Sequence, residues 1–248
     1  MFSAVDITNN LIDIDTAIQH PSDKYFCPSC NEELIIRNGS VRIQHFAHKS
    51  KSDCLDLDND MTEWHRSWQK KFPLKNREVV LKADESNPFT EHLRKTKHRA
   101  DVLCYGYALE FQNSPISSEE FDERNYFYHL LGKNVVWIFN LIDLYKSSMI
   151  ECYDEWHSSK GDGGKYHWKY ASKTFNGFKT YEDDVILLFQ FSEFDTTQND
   201  NEQSYLERVT WAINSNDDYE DTNFKSFFTS YSPSNFTELM TMLRRKAL

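Results

Sequence analysis

The chain has 248 residues, of which 39% are hydrophobic, and a formal net charge of −11 at pH 7. This length suffices for one well-formed hydrophobic core, or for one domain with a small appendage. No apolar run reaches the roughly 20 residues of a membrane-spanning helix, and the first residues lack the features of a signal peptide. These observations exclude membrane and secreted classes and predict a cytoplasmic protein without membrane partners.

Charge is distributed unevenly along the chain. Residues 65–99 contain ten basic and four acidic residues, a net charge of +6, whereas residues 181–222 contain one basic and twelve acidic residues. A basic segment of this kind suits a phosphate backbone, with a solvated face as the plain alternative. Lys95, Lys97 and Arg99 are its candidates for nucleic-acid contacts. We expect the acidic region to lie away from any nucleic acid or to contact a basic partner protein.

Residues 1–24 are expected to form a short strand or helix, and a small metal-binding module follows. A Cys-x-x-Cys pair, an Asn-Gly hairpin turn and a His-x-x-His pair occur within 30 residues, which is typical of a zinc-ribbon-like module because zinc prefers four Cys or His ligands. The odd number of cysteines also favours metal binding over disulfides. The five candidate ligands are Cys27, Cys30, His45, His48 and Cys54.

The choice among these five ligands stays open. Cys27 and Cys30 are the safest, and the other two ligands come from His45, His48 and Cys54. The alternative without a metal is a tight apolar turn at the two cysteines, with the histidines capping the hairpin.

A helix is predicted over about residues 62–72. Trp64, Trp68 and Phe72 recur at helical spacing and form a buried stripe, and Asp60 or Thr62 can cap the N-terminus. Three further elements are expected to build a sheet with a crossover helix: a strand over 76–84, a helix over 117–131 that ends at Gly132, and an apolar strand over 134–141 that runs parallel to a neighbour.

The most informative stretch runs from His98 to Ser114. Its apolar residues predict two short strands around a Tyr-Gly turn, with Asp101 on the first strand and Glu110 and Gln112 on the second. Residues two apart on a strand share a face, so Glu110 and Gln112 emerge together. If the strands pair, two carboxylates converge as ligands for Mg²⁺ or Mn²⁺. The plain alternative is a hairpin with acidic residues on its solvent face.

This arrangement resembles the PD-(D/E)XK nuclease superfamily and, more narrowly, the nuclease domain of the competence protein CoiA family, which has an E-x-Q variant of the motif. The residues that carry the resemblance occur in order along the chain: Asp101-x8-Glu110-x-Gln112, Ser114, a helix with Arg124 and Tyr128, and the apolar strand 135–139. The N-terminal pattern Cys-Pro-x-Cys … His-Phe-x-His is also similar to that family. The resemblance covers about residues 20–140.

The resemblance implies an α/β fold with an αβββαβ core and a metal-dependent hydrolase that cleaves DNA, in DNA uptake, processing or defence against foreign DNA. It divides the chain into a zinc-ribbon-like module over 1–58, a nuclease domain over 59–192 and an irregular, acidic and partly helical extension over 193–248. Within the extension, residues 195–204 are expected to be a loop and residues 236–243 helical.

The resemblance also assigns roles to residues. Asp101, Glu110 and the carbonyl of Phe111 would hold Mg²⁺ or Mn²⁺. Gln112 takes the position that is usually a lysine, where a neutral amide can orient water but supplies no positive charge. That departure keeps a second hypothesis open: a catalytically inactive nucleic-acid-binding or adaptor protein with a nuclease fold.

Three other residues are assigned with plain alternatives. Glu63 is the candidate for a helix carboxylate that points to the metals, or else an acid favoured by the helix dipole. His65 is a candidate for a phosphate or metal-water contact, or else an exposed histidine. Arg124 is a candidate for reaching the site or DNA, or else for an ion pair with Glu120.

Overall fold

The computed structural model describes residues 1–39, 42–49, 54, 62–158, 161–169, 185–192, 206–210, 227–231 and 235–246. The chain divides into two compact units, residues 1–104 and residues 105–248. Both units contain helices and strands, which confirms a mixed α/β protein. Among the described helices, none is both long enough and apolar enough to cross a membrane.

The first unit begins with a small antiparallel sheet in the strand order β2-β1-β3-β4-β5. Its elements are β1 (Ser3–Val5), β2 (Leu11–Asp13), α1 (Ile14–Ala17), β3 (Tyr25–Phe26), β4 (Glu33–Arg37) and β5 (His45–His48). The strand-or-helix prediction for residues 1–24 is therefore met by both kinds of element. The buried core beside this sheet consists of Phe2, Ala4, Ile14, Ala17, Tyr25, Cys27, Leu34 and Phe46.

The first unit continues with α2 (Glu63–Lys70) and the antiparallel pair β6 (Arg77–Lys82) and β7 (Lys97–Cys104). Two short 3-10 turns, Leu74–Asn76 and Pro88–His92, flank β6. The predicted helix is confirmed, and it begins after Thr62, whose side chain accepts a hydrogen bond from the backbone N–H of His65. Trp68 and Phe72 are buried as the helical spacing predicts, whereas Trp64, the first residue of the expected stripe, is only half-buried.

One residue of β6 ties the small sheet to the β6–β7 pair. The buried carboxylate of Glu78 accepts hydrogen bonds from the backbone N–H of Phe2 at 2.8 Å and of Ser3 at 2.6 Å, and from the Ser3 hydroxyl at 2.5 Å. Glu78 has φ of 49°, a left-handed conformation that a non-glycine residue adopts at some cost. These three donors hold the residue in that conformation.

The second unit starts with a parallel pair joined by a helix. Its elements are β8 (Tyr107–Gln112), α3 (Ser118–Leu130), β9 (Asn134–Asn140) and α4 (Ile142–Lys146). Strands β8 and β9 are parallel, with Glu110 opposite Trp137, as expected for a helical crossover. The helix α3 begins after Ser117, which accepts a hydrogen bond from the N–H of Glu120, and Gly132 follows it with φ of 64°.

The remaining strands extend this sheet in the order β10-β11-β14-β13-β12-β9-β8. They are β10 (Ile150–Ser158), β11 (Gly161–Trp168), β12 (Val185–Gln190), β13 (Leu206–Thr210) and β14 (Phe227–Tyr231), and α5 (Phe236–Lys246) closes the described chain. Strand β12 is parallel to β9, which therefore lies between two parallel neighbours, and residues 135–139 of β9 are buried.

The C-terminal region is more regular than expected. Strands β13 and β14 fall within residues 193–248, where an irregular extension was expected, and both are members of the sheet. The sequence pattern did not show them because each strand is only five residues long and polar, acidic residues surround it. The C-terminal helix is confirmed, and the expected loop at 195–204 lies outside the described residues.

The central elements follow one another in the order α2, β6, β7, β8, α3 and β9. This is the element order of the αβββαβ core that the resemblance implied, and a PD-(D/E)XK core built from these elements stays a prediction. The order places Asp101 on β7, Glu110 and Gln112 on β8 and Arg124 on α3.

Candidate functional site

Asp101 lies on the partly exposed face of β7. The strand alternates strictly, so Ala100 and Val102 are buried while Asp101 and Arg99 are half-exposed. The side chain of Gln69 on α2 donates its Nε2 to Asp101 Oδ1 at 3.4 Å, and Gln69 itself is only 2% exposed. This buried amide restricts the orientation of the Asp101 carboxylate.

Gln69 was not singled out from the sequence. The signal for it is its position directly after Trp68 on the buried side of α2, where a polar residue requires a partner. The residue of α2 that meets the proposed metal ligand is thus Gln69, whereas Glu63 had been expected there.

Glu63 and His65 occupy the start of α2. The Glu63 side chain is 70% exposed and lies 3.7 Å from the guanidinium of Arg66. The Nδ1 of His65 lies 2.9 Å from the hydroxyl oxygen of Thr62, so the two residues cap the helix reciprocally. The exposed position of Glu63 at the start of the helix agrees with its plain alternative, whereas His65 is half-buried rather than exposed. A catalytic role for either residue stays a prediction.

Glu110 is a buried carboxylate with two strong partners. It is 2% exposed, the Tyr128 hydroxyl donates a hydrogen bond to Oε1, and Arg124 donates one to Oε2 at 2.9 Å. Arg124 also donates to Glu120 Oε1 at 2.6 Å. The two terminal nitrogens of Arg124 thus bind different carboxylates. The expected ion pair with Glu120 is present, and a role of Arg124 at a catalytic site or on DNA stays a prediction. The sequence pattern indicated Tyr128 only as a residue of the helix in the motif, whereas in the structure Tyr128 contacts Glu110 directly.

Gln112 ends β8 on the same face as Glu110. Its Nε2 donates a hydrogen bond to the backbone carbonyl of Ser114 at 2.6 Å, so the side-chain amide is held against the loop that follows β8. Phe111 is 3% exposed. Asp101 belongs to the first unit and Glu110 to the second. The meeting of their carboxylates on one cation, with the Phe111 carbonyl as a further ligand, stays a prediction.

Four of the five predicted zinc ligands come together in the first unit. The ligand atoms of Cys27, Cys30, His48 and Cys54 all lie within 4.8 Å of one another. Cys27 Sγ is 3.6 Å from Cys54 Sγ, and Cys30 Sγ is 3.3 Å from His48 Nε2. Tetrahedral zinc with bonds of about 2.3 Å to sulfur places two sulfur ligands about 3.8 Å apart. This cluster, called the metal cluster below, could hold a structural metal ion such as zinc.

His45 is not part of the metal cluster. Its Nδ1 lies 2.7 Å from the carbonyl oxygen of Ile43. His45 and His48 are three residues apart on β5, and an odd separation on a strand places two side chains on opposite faces. Only one histidine of the pair can therefore face the cysteines, and the fold selects His48.

Burial changes the protonation of the metal cluster. It raises the pKa of the Cys54 thiol to about 12, with Cys30 and Cys27 adding to the shift, and it also raises the pKa of Cys30. Burial lowers the pKa of His48, a shift that Arg99 increases and Glu32 opposes. Without metal, these pKa shifts favour the neutral forms of the Cys30 and Cys54 thiols and of the His48 imidazole. Metal binding must displace the thiol protons.

Three of the four candidate nucleic-acid contacts belong to the first unit. Lys95 is exposed, and Lys97 and Arg99 are half-exposed on the face of β7 that carries Asp101. In the second unit, Arg124 is mostly buried against Glu110, with 18% of its side chain exposed.

Comparison with known proteins gives two family matches. The model described as competence protein CoiA, N-terminal domain, matches residues 13–56, and the model described as competence protein CoiA, nuclease-like domain, matches residues 80–229. The chain is also similar to the competence protein CoiA of Bacillus subtilis (strain 168), with 25% identity over 155 residues. That match covers 60% of this chain and 38% of the relative, so the chain spans well under half of the relative's length. No solved structure matches the chain significantly.

Proposed function

Since the chain belongs to the competence protein CoiA family, we propose that it is a metal-dependent nuclease that hydrolyses DNA phosphodiester bonds. The observation that carries the proposal is the nuclease-like domain match over residues 80–229, which includes Asp101, Glu110 and Gln112. DNA uptake, DNA processing and defence against foreign DNA are the settings that we propose for this activity, inside the cytoplasm.

The proposed Mg²⁺ or Mn²⁺ ligands are Asp101 and Glu110, with the carbonyl of Phe111. Their chemistry fits, because these cations prefer carboxylate and carbonyl oxygens. Tyr128 donates a hydrogen bond to Oε1 of Glu110 and Arg124 donates one to Oε2, and these donors fix the orientation of the carboxylate. A divalent cation held there would polarise the scissile phosphate and lower the pKa of an attacking water.

The protein's own side chains have separate tasks in this proposal. The buried amide of Gln69 orients Asp101, and Tyr128 orients Glu110. Gln112 orients a water or a phosphate oxygen, but it carries no charge. The missing positive charge comes from Arg99, which lies two residues before Asp101 on the same face of β7.

We further propose that Zn²⁺ occupies the metal cluster and has a structural role. The set of three cysteines and one histidine is a common structural zinc set. The cluster joins residues that are far apart in the sequence, so a bound ion would stabilise the small N-terminal sheet.

The decisive experiment incubates the protein with circular and linear DNA in Mg²⁺ or Mn²⁺. We expect cleavage by the natural protein and none by Asp101→Ala or Glu110→Gln, with the folded state verified by circular dichroism. Glu91→Gln is the matched control, because its carboxylate is 73% exposed. Undiminished cleavage by Asp101→Ala or by Glu110→Gln would refute the site.

A second candidate function is a catalytically inactive DNA-binding or adaptor protein. The observation that favours it is the engagement of Glu110, whose two oxygens are already bonded to Arg124 and Tyr128, together with a glutamine at the usual lysine position. Titration of DNA with and without Mg²⁺ distinguishes the two functions. Binding without product on single-stranded and double-stranded DNA would favour the inactive protein.

A further inference from the structure

A cavity of about 520 Å³ lies in the first unit beside the metal cluster. Three segments of the chain line it. Cys30 and Cys54 of the metal cluster contribute to the lining together with Glu32, and the segment that enters β7 contributes Arg94, Lys95 and Lys97. We call this cavity the basic groove. Lys95 and Lys97 are candidate nucleic-acid contacts, but the proposed cleavage reaction gives the cavity itself no role.

The charge of the basic groove is positive. Three of its lining residues are cations and one, Glu32, is an acid. Arg94 and Lys95 are exposed and Lys97 is half-exposed, so the cations are accessible to a ligand from solvent. The whole protein carries a net charge of −11. A local excess of cations on an acidic protein concentrates anions at that place.

The basic groove continues toward Asp101. Lys97, Arg99 and Asp101 alternate along β7 and share its partly exposed face. Four residues of a strand span about 13 Å. The line from Lys97 to Asp101 is therefore a row of two cations that ends at the proposed catalytic carboxylate. A chain of phosphates is the anion that such a row fits, because its charges repeat along the same direction.

We propose that the basic groove binds the phosphodiester backbone of the DNA strand that is cut at Asp101, and that metal in the cluster sets the affinity of the groove. The proposal rests on the proposed nuclease function and adds to it a binding site away from the cleaved bond. The link to the metal is physical. Cys30 and Cys54 come from separate segments and both line the groove, so coordination of both by one ion holds that side of the groove in place.

The first test measures binding rather than cleavage. Affinity for DNA is determined at several salt concentrations with zinc-loaded protein and without Mg²⁺ or Mn²⁺. The variant Arg94→Ala/Lys95→Ala is compared with Lys24→Ala/Lys75→Ala. The control removes the same charge from exposed lysines that do not line the groove.

For the groove variant we expect affinity to fall on the order of ten- to a hundredfold at 0.1 M salt, and the slope of log affinity against log salt to fall by about 1.4 to 1.8, the value for two lost phosphate contacts. The control should change little. Equal effects of the two variants would overturn the proposal, since net charge alone would then explain binding.

The second test removes zinc. We expect the metal-stripped natural protein to bind DNA more weakly, whereas stripping the groove variant should cause little further loss, because the same contacts are already absent. Circular dichroism at the assay temperature identifies the preparations that stay folded, and only these are compared. An equal loss in both proteins would overturn the link between the cluster and the groove.

The third test separates DNA from free phosphate. Inorganic phosphate is added against a matched chloride solution of equal ionic strength, and DNA affinity is measured. We expect no specific competition. Displacement of DNA by phosphate in the natural protein but not in the groove variant would overturn the assignment to a DNA strand and indicate a small-anion site. These binding results are independent of cleavage, so a protein that binds through the groove but never cuts refutes only the nuclease function.

Discussion

The Arg124–Glu110 pair allows the proposed cation site to be tested through stability. Replacing Arg124 with Met removes the guanidinium but keeps most of the apolar stem. Glu110 is 2% exposed and the Arg124 nitrogen lies 2.9 Å from it. The variant therefore leaves a buried carboxylate that keeps the hydrogen bond from Tyr128 but loses its guanidinium partner. Removing one partner of a buried ion pair costs about 3 kcal/mol, which lowers the melting temperature of a protein of this size by about 6–12 °C.

A divalent cation should restore what the substitution removes. If Mg²⁺ binds at Glu110, saturation to a hundredfold above its Kd stabilises the folded state by about 2.7 kcal/mol. In the natural protein the gain is smaller, since Arg124 already neutralises Glu110 and opposes a second positive charge. We therefore expect Mg²⁺ or Mn²⁺ to raise the melting temperature of Arg124→Met more than that of the natural protein, as measured by calorimetry.

Two controls make this result specific. Glu120→Gln removes the other, half-exposed partner of Arg124, and we expect a change within about 0.5 kcal/mol and a Mg²⁺ response like that of the natural protein. Adding Glu110→Gln to Arg124→Met should abolish the extra response. An identical Mg²⁺ response in Arg124→Met and the natural protein would refute the assignment of Glu110 as a cation ligand.

Two further predictions concern the first unit. We expect metal analysis to find one zinc ion per chain. Cys54→Ser should lose the zinc and melt at a much lower temperature, whereas His45→Gln should retain it, because the His45 ring lies outside the cluster. Loss of zinc from both variants would contradict the ligand set. Burial alone would raise the pKa of Glu78, but the positive N-terminus, Arg99 and the donors at Ser3 and Phe2 hold that pKa below its ordinary value of 4.5. The stability from this carboxylate is therefore complete above pH 4.5 and is lost as pH falls through the lower folded pKa. Urea unfolding should show Glu78→Gln to be about 2 kcal/mol less stable than the natural protein near neutral pH. This difference in unfolding free energy should shrink as the solution is made acidic. A constant difference from neutral to acidic pH would contradict the role of the charge.

The local pattern was sufficient to predict most elements of the fold. The stripe of Trp68 and Phe72 indicated α2, and the apolar run at 135–139 indicated β9, because helical and strand periodicities are properties of neighbouring residues. Motif spacing was equally informative about the family, which the matches over residues 13–56 and 80–229 confirm. The spacing of Cys27 and Cys30 likewise predicted a metal-binding cluster, although it left the third and fourth ligands open.

The sequence alone determined most of the elements, the family and the candidate ligands, since these depend on composition and on short spacings. Only the tertiary structure decided which of these side chains meet. In the structure, the face of β5 that lies against the cysteines carries His48 and not His45. The buried side chain of Gln69, 32 residues from Asp101 in the sequence, contacts Asp101. The tertiary structure also placed Glu78 against Ser3 across 75 positions. Such contacts depend on how elements pack, and no local periodicity contains that information.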